Sequence, residues 1–259
     1  MIAAAGTVLT NPSHCLPPRA AATIVLNGCT LAHGSIDAVL MQDSVDQWLS
    51  DRERRDAAQL RDTRRHRAWL SGRLLLKRRL VDRLSEDGSA GGVHPSELEI
   101  ISHNDAGRPA RPAALLDGQP LDFRLSIAHT DHQVLVAVAP AHMAVGVDLV
   151  DAQFAPGNGF MRLWFTAAER QQLCKGAAPS AAAIWAVKEA VYKAINRGEP
   201  FIPQQMEVGW QSGRPLICHA ANPLAERCCL ATWLTAEGDI AALATLDQLT
   251  MQSGACHDD

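Results

Sequence analysis

What most constrains this chain is a repeated order of elements: a long helical pattern, then a run of strand-like segments, then the same again. Between about Ser44 and Leu84 the apolar residues Leu60, Trp69, Leu76, Leu80 and Leu84 recur near helical spacing, with arginines on the faces between them. Ser50 or Asp51 suits a helix cap inside this stretch, Gly72 suits a kink or a close contact, and GSAGG at 88–92 ends it. Ahead of it, SIDAVLM at 35–41 is partly alternating and predicts a first strand. Strands are predicted at Leu98–Ser102, Arg124–Ala128, Val134–Ala139 and Ala144–Val150, the last two joined by a short turn at Pro140-Ala141-His142. In the second half, a helical stretch from Phe165 to Asn196 precedes strands near Glu207–Trp210, Pro215–His219, Cys229–Thr235 and Ile240–Leu246. The last two again form a hairpin, around Glu237-Gly238-Asp239. Element order recurs without a legible residue-by-residue repeat.

The expected fold is therefore α+β: two similar subdomains, each a long helix packed on a small antiparallel sheet, related by a pseudo-two-fold. A ligand cleft would lie between them, where polar residues of both halves converge. The expected division is an N-terminal subdomain over 23–142 and a C-terminal subdomain over 143–249. Residues 1–22 are expected to be a poorly ordered extension and 250–259 a flexible tail.

Composition narrows the function classes. With 47% hydrophobic and 20% charged residues and a net charge of −4, the chain has the balance of a soluble globular protein and no global affinity for nucleic acid or membrane. Twelve of its 24 Lys and Arg residues fall between Arg52 and Arg83, so an anionic ligand or an acidic partner protein is expected near that segment. Its seven cysteines are odd in number and include no C-x-x-C pair, which reads as reduced cytosolic thiols rather than disulfides or a zinc site. The first residues lack the basic start of a signal peptide, and no apolar run reaches the ~18 residues of a membrane span. A cytoplasmic protein, a monomer if its two halves form the cleft within one chain, is the expectation.

Two segments carry chemistry. In AVGVDLV, residues 144–150, Asp148 interrupts an apolar strand, and a carboxylate there is costly unless paired or bound to a cation. In IWAVKEAVYKA, residues 184–194, helical spacing brings Trp185, Glu189, Tyr192 and Lys193 together. A strand aspartate and a glutamate on a facing helix together suit one hard divalent cation such as magnesium, which takes oxygen ligands and shares its shell with phosphates. Lys193 would then stabilise a departing phosphate. Read singly, Glu189–Lys193 is equally a solvated helix pair and Asp148 the start of a turn.

Taken together, GVD, about forty residues and then WxxKExxxK resemble the signature of the 4′-phosphopantetheinyl transferase superfamily. The upstream pieces LSDRERR (49–55), HRAWLSGRLLLK (66–77), GRP (107–109) and IAHT (127–130), in that order, resemble its larger, single-chain Sfp-like class. The resemblance runs from about Ser35 to Leu246. It implies Mg²⁺-dependent transfer of the 4′-phosphopantetheine group from coenzyme A to a serine of an apo acyl or peptidyl carrier protein, with release of 3′,5′-ADP. Such carriers serve fatty-acid, polyketide or nonribosomal peptide synthesis. By resemblance Asp148, Glu189 and Glu169 (in FTAAER) hold the metal, and Glu169 or Glu189 helps deprotonate the serine. Lys188 and Lys193 contact coenzyme A phosphates, Lys193 nearest the leaving group. His129, Arg67 and Arg108 meet the nucleotide, with Arg52 and Arg55 as further basic candidates, and Trp185 anchors the helix by packing.

Two positions depart from the family pattern. Val150 stands where many Sfp-like enzymes carry a second carboxylate, on the same strand face as Asp148. Ala128 stands where a serine often precedes the histidine. They leave open a module that binds coenzyme A or a carrier without catalysis. The arginine-rich segment leaves open a nucleic-acid-associated protein, against which stand the acidic residues Asp51, Glu53, Asp56 and Asp62 interspersed with it.

Overall fold

The structure is a computed structural model that describes residues 22–42, 45–86, 93–103, 109–176 and 179–248. It opens on a hairpin that the sequence reading passed over, β1 (Ala22–Leu26) and β2 (Cys29–Ser35). The turn residues Asn27 and Gly28 have φ of 51° and 77°, the left-handed pair of a tight hairpin turn that Asn-Gly supplies. The segment 35–41, expected as a strand, is instead helix α1 (Ile36–Gln42). Ser35 Oγ accepts the Ala38 N–H at 3.1 Å, and Ile36 and Val39, three apart, are the residues it buries.

The helical stretch over 44–84, with a cap expected at Ser50 or Asp51, is three helices: α2 (Val45–Trp48), α3 (Asp51–Gln59) and α4 (Thr63–Glu86). Local chemistry makes the breaks. Ser50 caps α3 in a reciprocal capping box with Glu53, and the Asp62 side chain accepts the Arg65 N–H at 2.7 Å ahead of α4. Next come β3 (Leu98–His103), β4 (Pro109–Leu116) and β5 (Gln119–Pro120), an antiparallel sheet in that order. β4 was not foreseen because Pro109 and Pro112 mask it. The pairing is irregular between Ile101 and His103, opposite the stretch that holds Pro112, which has no N–H to donate.

β6 (Phe123–His129) and β7 (Gln133–Pro140) complete a sheet of order β1-β2-β7-β6. β8 (Met143–Asp151) follows after a two-residue turn yet does not pair with β7, because β7 is already flanked by β2 and β6. The second helical stretch is also three helices, α5 (Asn158–Trp164), α6 (Ala167–Cys174) and α7 (Ala181–Ile195). β9 (Met206–Gln211) and β10 (Arg214–Ala220) form a hairpin, and α8 (Pro223–Glu226) leads to β11 (Cys229–Leu234) and β12 (Asp239–Asp247). The last sheet has the order β11-β12-β8. Among the described residues no helix is long and apolar enough to cross a membrane.

The layers run helix, sheet, sheet, helix. Leu74, Leu75, Leu76 and Leu80 of α4 are buried against Ala32, Leu125, Val134, Val136 and Val138, each such side chain contributing ~1.5–3 kcal/mol of burial. Alternation sends Leu31, Leu135, Ala137, Val145, Val147, Leu149, Ala241 and Leu243 into a shared layer between the two sheets. The opposite parity of β8 and β12 (Ala144, Val150, Ala242, Ala244, Leu246) packs on α7. Ser126 Oγ of β6 accepts the Val147 N–H of β8 at 3.0 Å, which ties the halves together edge to edge.

α7 lies directly on β8. A Cβ placed on Gly146 would sit 2.0 Å from the Ala190 carbonyl oxygen and 2.5 Å from the Ala194 nitrogen. Only a residue without a side chain permits that approach. Gly72 of α4 faces a softer neighbour, the Ile127 Cγ2 methyl at 3.0 Å from the corresponding Cβ position, so it marks close packing rather than a kink. Gly146→Ala should therefore cost about 3 kcal/mol and Gly72→Ala less than about 1 kcal/mol, read by urea unfolding followed by circular dichroism. Equal costs would mean that α7 does not rest on the β8 backbone.

Candidate active site

Because Gly146 faces α7, Asp148, two residues on, faces it too. Its partner across the sheet is Ala242, which leaves room above the strand for helix side chains. Lys193 Nζ of α7 lies 2.6 Å from Asp148 Oδ1 and 3.8 Å from Glu189 Oε2. The three side chains retain 10%, 29% and 25% of their exposure, in the order Asp148, Lys193, Glu189, so the cluster is half-sunk and still open to a ligand.

One ammonium between two carboxylates leaves the cluster short of positive charge. Burial pushes the Asp148 carboxyl up from its ordinary value, against the pull of Lys193. Glu189 is raised as well, first by burial and then by the Asp148 charge, with Lys193 again opposing. For Lys193 burial acts downward, but the two carboxylates outweigh it and hold the ammonium above its usual range. His129, exposed at the end of β6, is close enough to this cluster for Lys193 and Asp148 to act on it. Its imidazole is lowered by partial desolvation and by Lys193, while the Thr130 backbone, Asp148 and Asp131 act the other way.

The donor set suits a hard cation. Asp148 and Glu189 offer carboxylate oxygens at one point and lack one positive charge. Among the described residues no group of three or more His, Cys, Asp or Glu side chains could hold a metal alone. A magnesium ion here would complete its shell with water or ligand oxygens, as that ion commonly does. Val150 shares the face of Asp148 but belongs to the α7 core and supplies nothing to a cation. Ala128 is buried in the layer between the sheets.

Two residues expected in this set lie elsewhere. Glu169 and Lys188 are both 0% exposed and bond each other at 2.7 Å. Lys188 Nζ also donates to the Trp164 carbonyl at 3.1 Å and the Pro203 carbonyl at 2.9 Å, so its three donors are used. Glu169 Oε1 accepts the Val208 N–H at 2.8 Å, and Oε2 accepts the Thr166 N–H at 2.8 Å besides Lys188. In this structure the three Lys188 donors are all used within the protein and Glu169 is bonded to Lys188 and two backbone N–H groups, so both side chains point into the core, away from the Asp148–Glu189–Lys193 cluster.

The same unit stands in the first half. Lys77, 0% exposed, bonds Glu53, 1% exposed. Lys77 Nζ donates to the Trp48 carbonyl at 2.7 Å. Glu53 accepts the Ile100 N–H at 3.1 Å and the Ser50 N–H at 2.9 Å. Trp48-x-Ser50-x-x-Glu53 and Trp164-x-Thr166-x-x-Glu169 are thus one motif, each paired with a lysine of the next long helix and a backbone N–H of the next strand. Sequence reasoning missed this repeat. Its signal was the capping-box pattern S/T-x-x-E occurring twice behind a tryptophan.

The remaining candidates sit at the periphery. Arg67 pairs with Asp37 of α1 at the surface. Arg64, one turn earlier, lies 3.4 Å from Asp131, two residues past His129. The basic start of α4 is thereby close to the β6–β7 turn. Arg52 bonds Glu99 of β3 at 3.3 Å, and Arg55 bonds the Asp51 carbonyl within α3 at 3.3 Å. Arg108 lies outside the described residues. Trp185 packs among Phe160, Phe165, Trp164 and Phe201, with ring centroids 4.9–6.3 Å away, and so anchors α7 by packing.

The buried pairs should behave as structure. Lys188→Ala strands a buried carboxylate and is expected to lose about 3–5 kcal/mol of stability, measured by urea unfolding. A loss under about 1 kcal/mol, the scale of an exposed pair, would show that Lys188 does not occupy this buried site.

No curated protein matches the chain. A crystal structure of Thermotoga maritima holo-[acyl-carrier-protein] synthase is similar at 19% identity with a TM-score of 0.33, covering 40% of this chain and 63% of that one, less than two thirds of its length. Residues 144–244 match the profile of the 4′-phosphopantetheinyl transferase superfamily. That stretch, under half of the chain, runs from β8 into β12, contains Asp148, Glu189 and Lys193, and is where the chain is similar to that superfamily.

Proposed function

We propose that the protein transfers the 4′-phosphopantetheine group of coenzyme A to a serine hydroxyl of an apo acyl or peptidyl carrier protein and releases 3′,5′-ADP, as a single-chain enzyme of the Sfp-like class. The observation that carries this reading is the convergence of Asp148, Glu189 and Lys193, from a strand and a helix of the family-matched segment, at one half-open point. In this reading the halves are related by a pseudo-two-fold, the chain acts as a monomer in the cytoplasm, and coenzyme A lies in a cleft between the halves.

Asp148 and Glu189 would hold magnesium, which when bound neutralises the diphosphate and so lowers the cost of phosphoryl transfer. The chain's own groups do the rest. Lys193, within reach of both carboxylates, is placed to donate to the departing phosphate as the serine oxygen bonds to the phosphorus next to pantetheine and the diphosphate bridge breaks there. Glu189, which keeps a quarter of its exposure, accepts the serine proton through a water. Glu169 is left out of that role because it is fully buried and bonded to Lys188 and two backbone N–H groups within the core. His129, with the basic start of α4 near its turn, meets the nucleotide phosphate. Positioning and charge neutralisation supply most of the acceleration.

The test is intact-protein mass spectrometry of an apo carrier protein incubated with this protein, coenzyme A and Mg²⁺. A gain of the phosphopantetheine mass, abolished by EDTA, is expected. Asp148→Ala and Glu189→Gln should each keep the circular dichroism spectrum and cut the rate at least ~100-fold, the scale of losing an electrostatic catalytic contact. No gain on several unrelated carriers, with coenzyme A still bound by calorimetry, would replace transfer with a binding role.

A further inference from the structure

We propose that the buried Glu169–Lys188 pair is a positioning element for the Asp148–Glu189 carboxylates: it fixes the rotation of α7 about its axis and so the place at which Glu189 meets Asp148 around a divalent cation. This rests on the metal-pair reading above. Lys188 and Glu189 are consecutive, about 100° apart around the helix, so locking one side chain sets the direction of the other. Lys188 is locked from three sides, by Glu169 of α6, the Trp164 carbonyl at the end of α5 and the Pro203 carbonyl before β9. Gly146 holds a different face of α7 against β8. Glu189 and Lys193 project between these two fixed contacts. A helix held at one line of contact can still roll, and a helix held at two cannot. A metal pair needs its ligands held to ~0.5 Å by supports that are themselves locked.

The first half supplies an internal control. The Glu53–Lys77 unit repeats the bonds of Glu169–Lys188 to a capping residue, a tryptophan carbonyl and a strand N–H. The residue after Lys77 is Arg78, whose guanidinium lies 5.5 Å from the Trp48 ring and donates to the Val39 carbonyl. Where Glu189 adjoins a carboxylate pair, Arg78 is engaged in packing. Loss of either unit should loosen its helix, and only loss of the second should disturb the carboxylates.

The experiment compares Glu169→Gln/Lys188→Met with Glu53→Gln/Lys77→Met in the full-length protein. Mn²⁺ binding is followed by electron paramagnetic resonance without coenzyme A or carrier, and Tm is measured alongside. Both variants should lower Tm. Mn²⁺ affinity should fall about tenfold in the first and stay within about twofold in the second. Unchanged affinity in folded Glu169→Gln/Lys188→Met, or equal weakening in both, overturns the proposal. If that variant does not fold, Lys188→Arg carries the test. It keeps the charge, but a planar guanidinium cannot serve the same three acceptors, so a severalfold loss of Mn²⁺ affinity at nearly unchanged Tm is expected and no loss overturns the proposal. Wild-type protein is assayed in parallel by carrier mass. Mn²⁺ binding without transfer rejects the transferase reading and leaves the affinity comparison to decide this one, whereas no Mn²⁺ binding by wild type removes the metal pair and this proposal with it.

Discussion

The arrangement depends on one close contact, the backbone of α7 lying on β8 at Gly146. An alanine there would drive its methyl into the Ala190 carbonyl, so the glycine sets the height of the helix above the sheet. That height decides everything that follows from the pair of elements. It lets Ala190 and Ala194 be small and fully buried, and it brings the lysine one turn along the helix within hydrogen-bond distance of a strand aspartate. A higher helix would leave Asp148 facing apolar side chains without a partner, at a cost the fold could not sustain.

Charge is used in two distinct ways within the same elements. Lys188 and Glu169 are fully buried, with all three Lys188 donors used by the protein and Glu169 accepting three hydrogen bonds from it. Such a pair is neutral as a unit and holds geometry. One residue further along α7, Glu189 and Asp148 share a single ammonium, remain partly open to solvent, and are both pushed up from the ordinary carboxylate range. A net negative, under-satisfied cluster is what a cation or a phosphate-bound metal can stabilise. Saturation separates a structural ion pair from a candidate site more clearly than residue type does, since both use Lys with Asp or Glu.

Much of the fold was legible wherever pattern and period agree. The strands around Val134–Ala139 and Ala144–Val150 alternate cleanly between two buried faces, and the structure extends each by only a residue or two. The errors arose where local chemistry overrides the pattern. Asn27-Gly28 turns two short strands into a hairpin, and Pro109 with Pro112 disguises a strand whose pairing with β3 is irregular. Ser35 caps a helix in a run whose apolar residues alternate almost as well as they follow helical spacing. Within the long helical stretches the break at Ser50 was legible as a cap, whereas that at Thr166 was not, because its signal is the paired Glu169 three residues on.

For the site, the sequence by itself determined which residue types fall on which face: Asp148 on the side of β8 opposite to Val147 and Leu149, and Glu189 and Lys193 one helical turn apart. These follow from periods of two and 3.6, which are properties of the local backbone. Only the tertiary structure decided which of the charged residues meet. Lys188 and Glu189 are adjacent in sequence, yet one enters the core and the other the open cluster, because the helix turns about 100° between them. Motif spacing cannot say which neighbour awaits each direction. That was fixed by α5, α6 and β9 closing around Lys188 on one side and by β8 on the other.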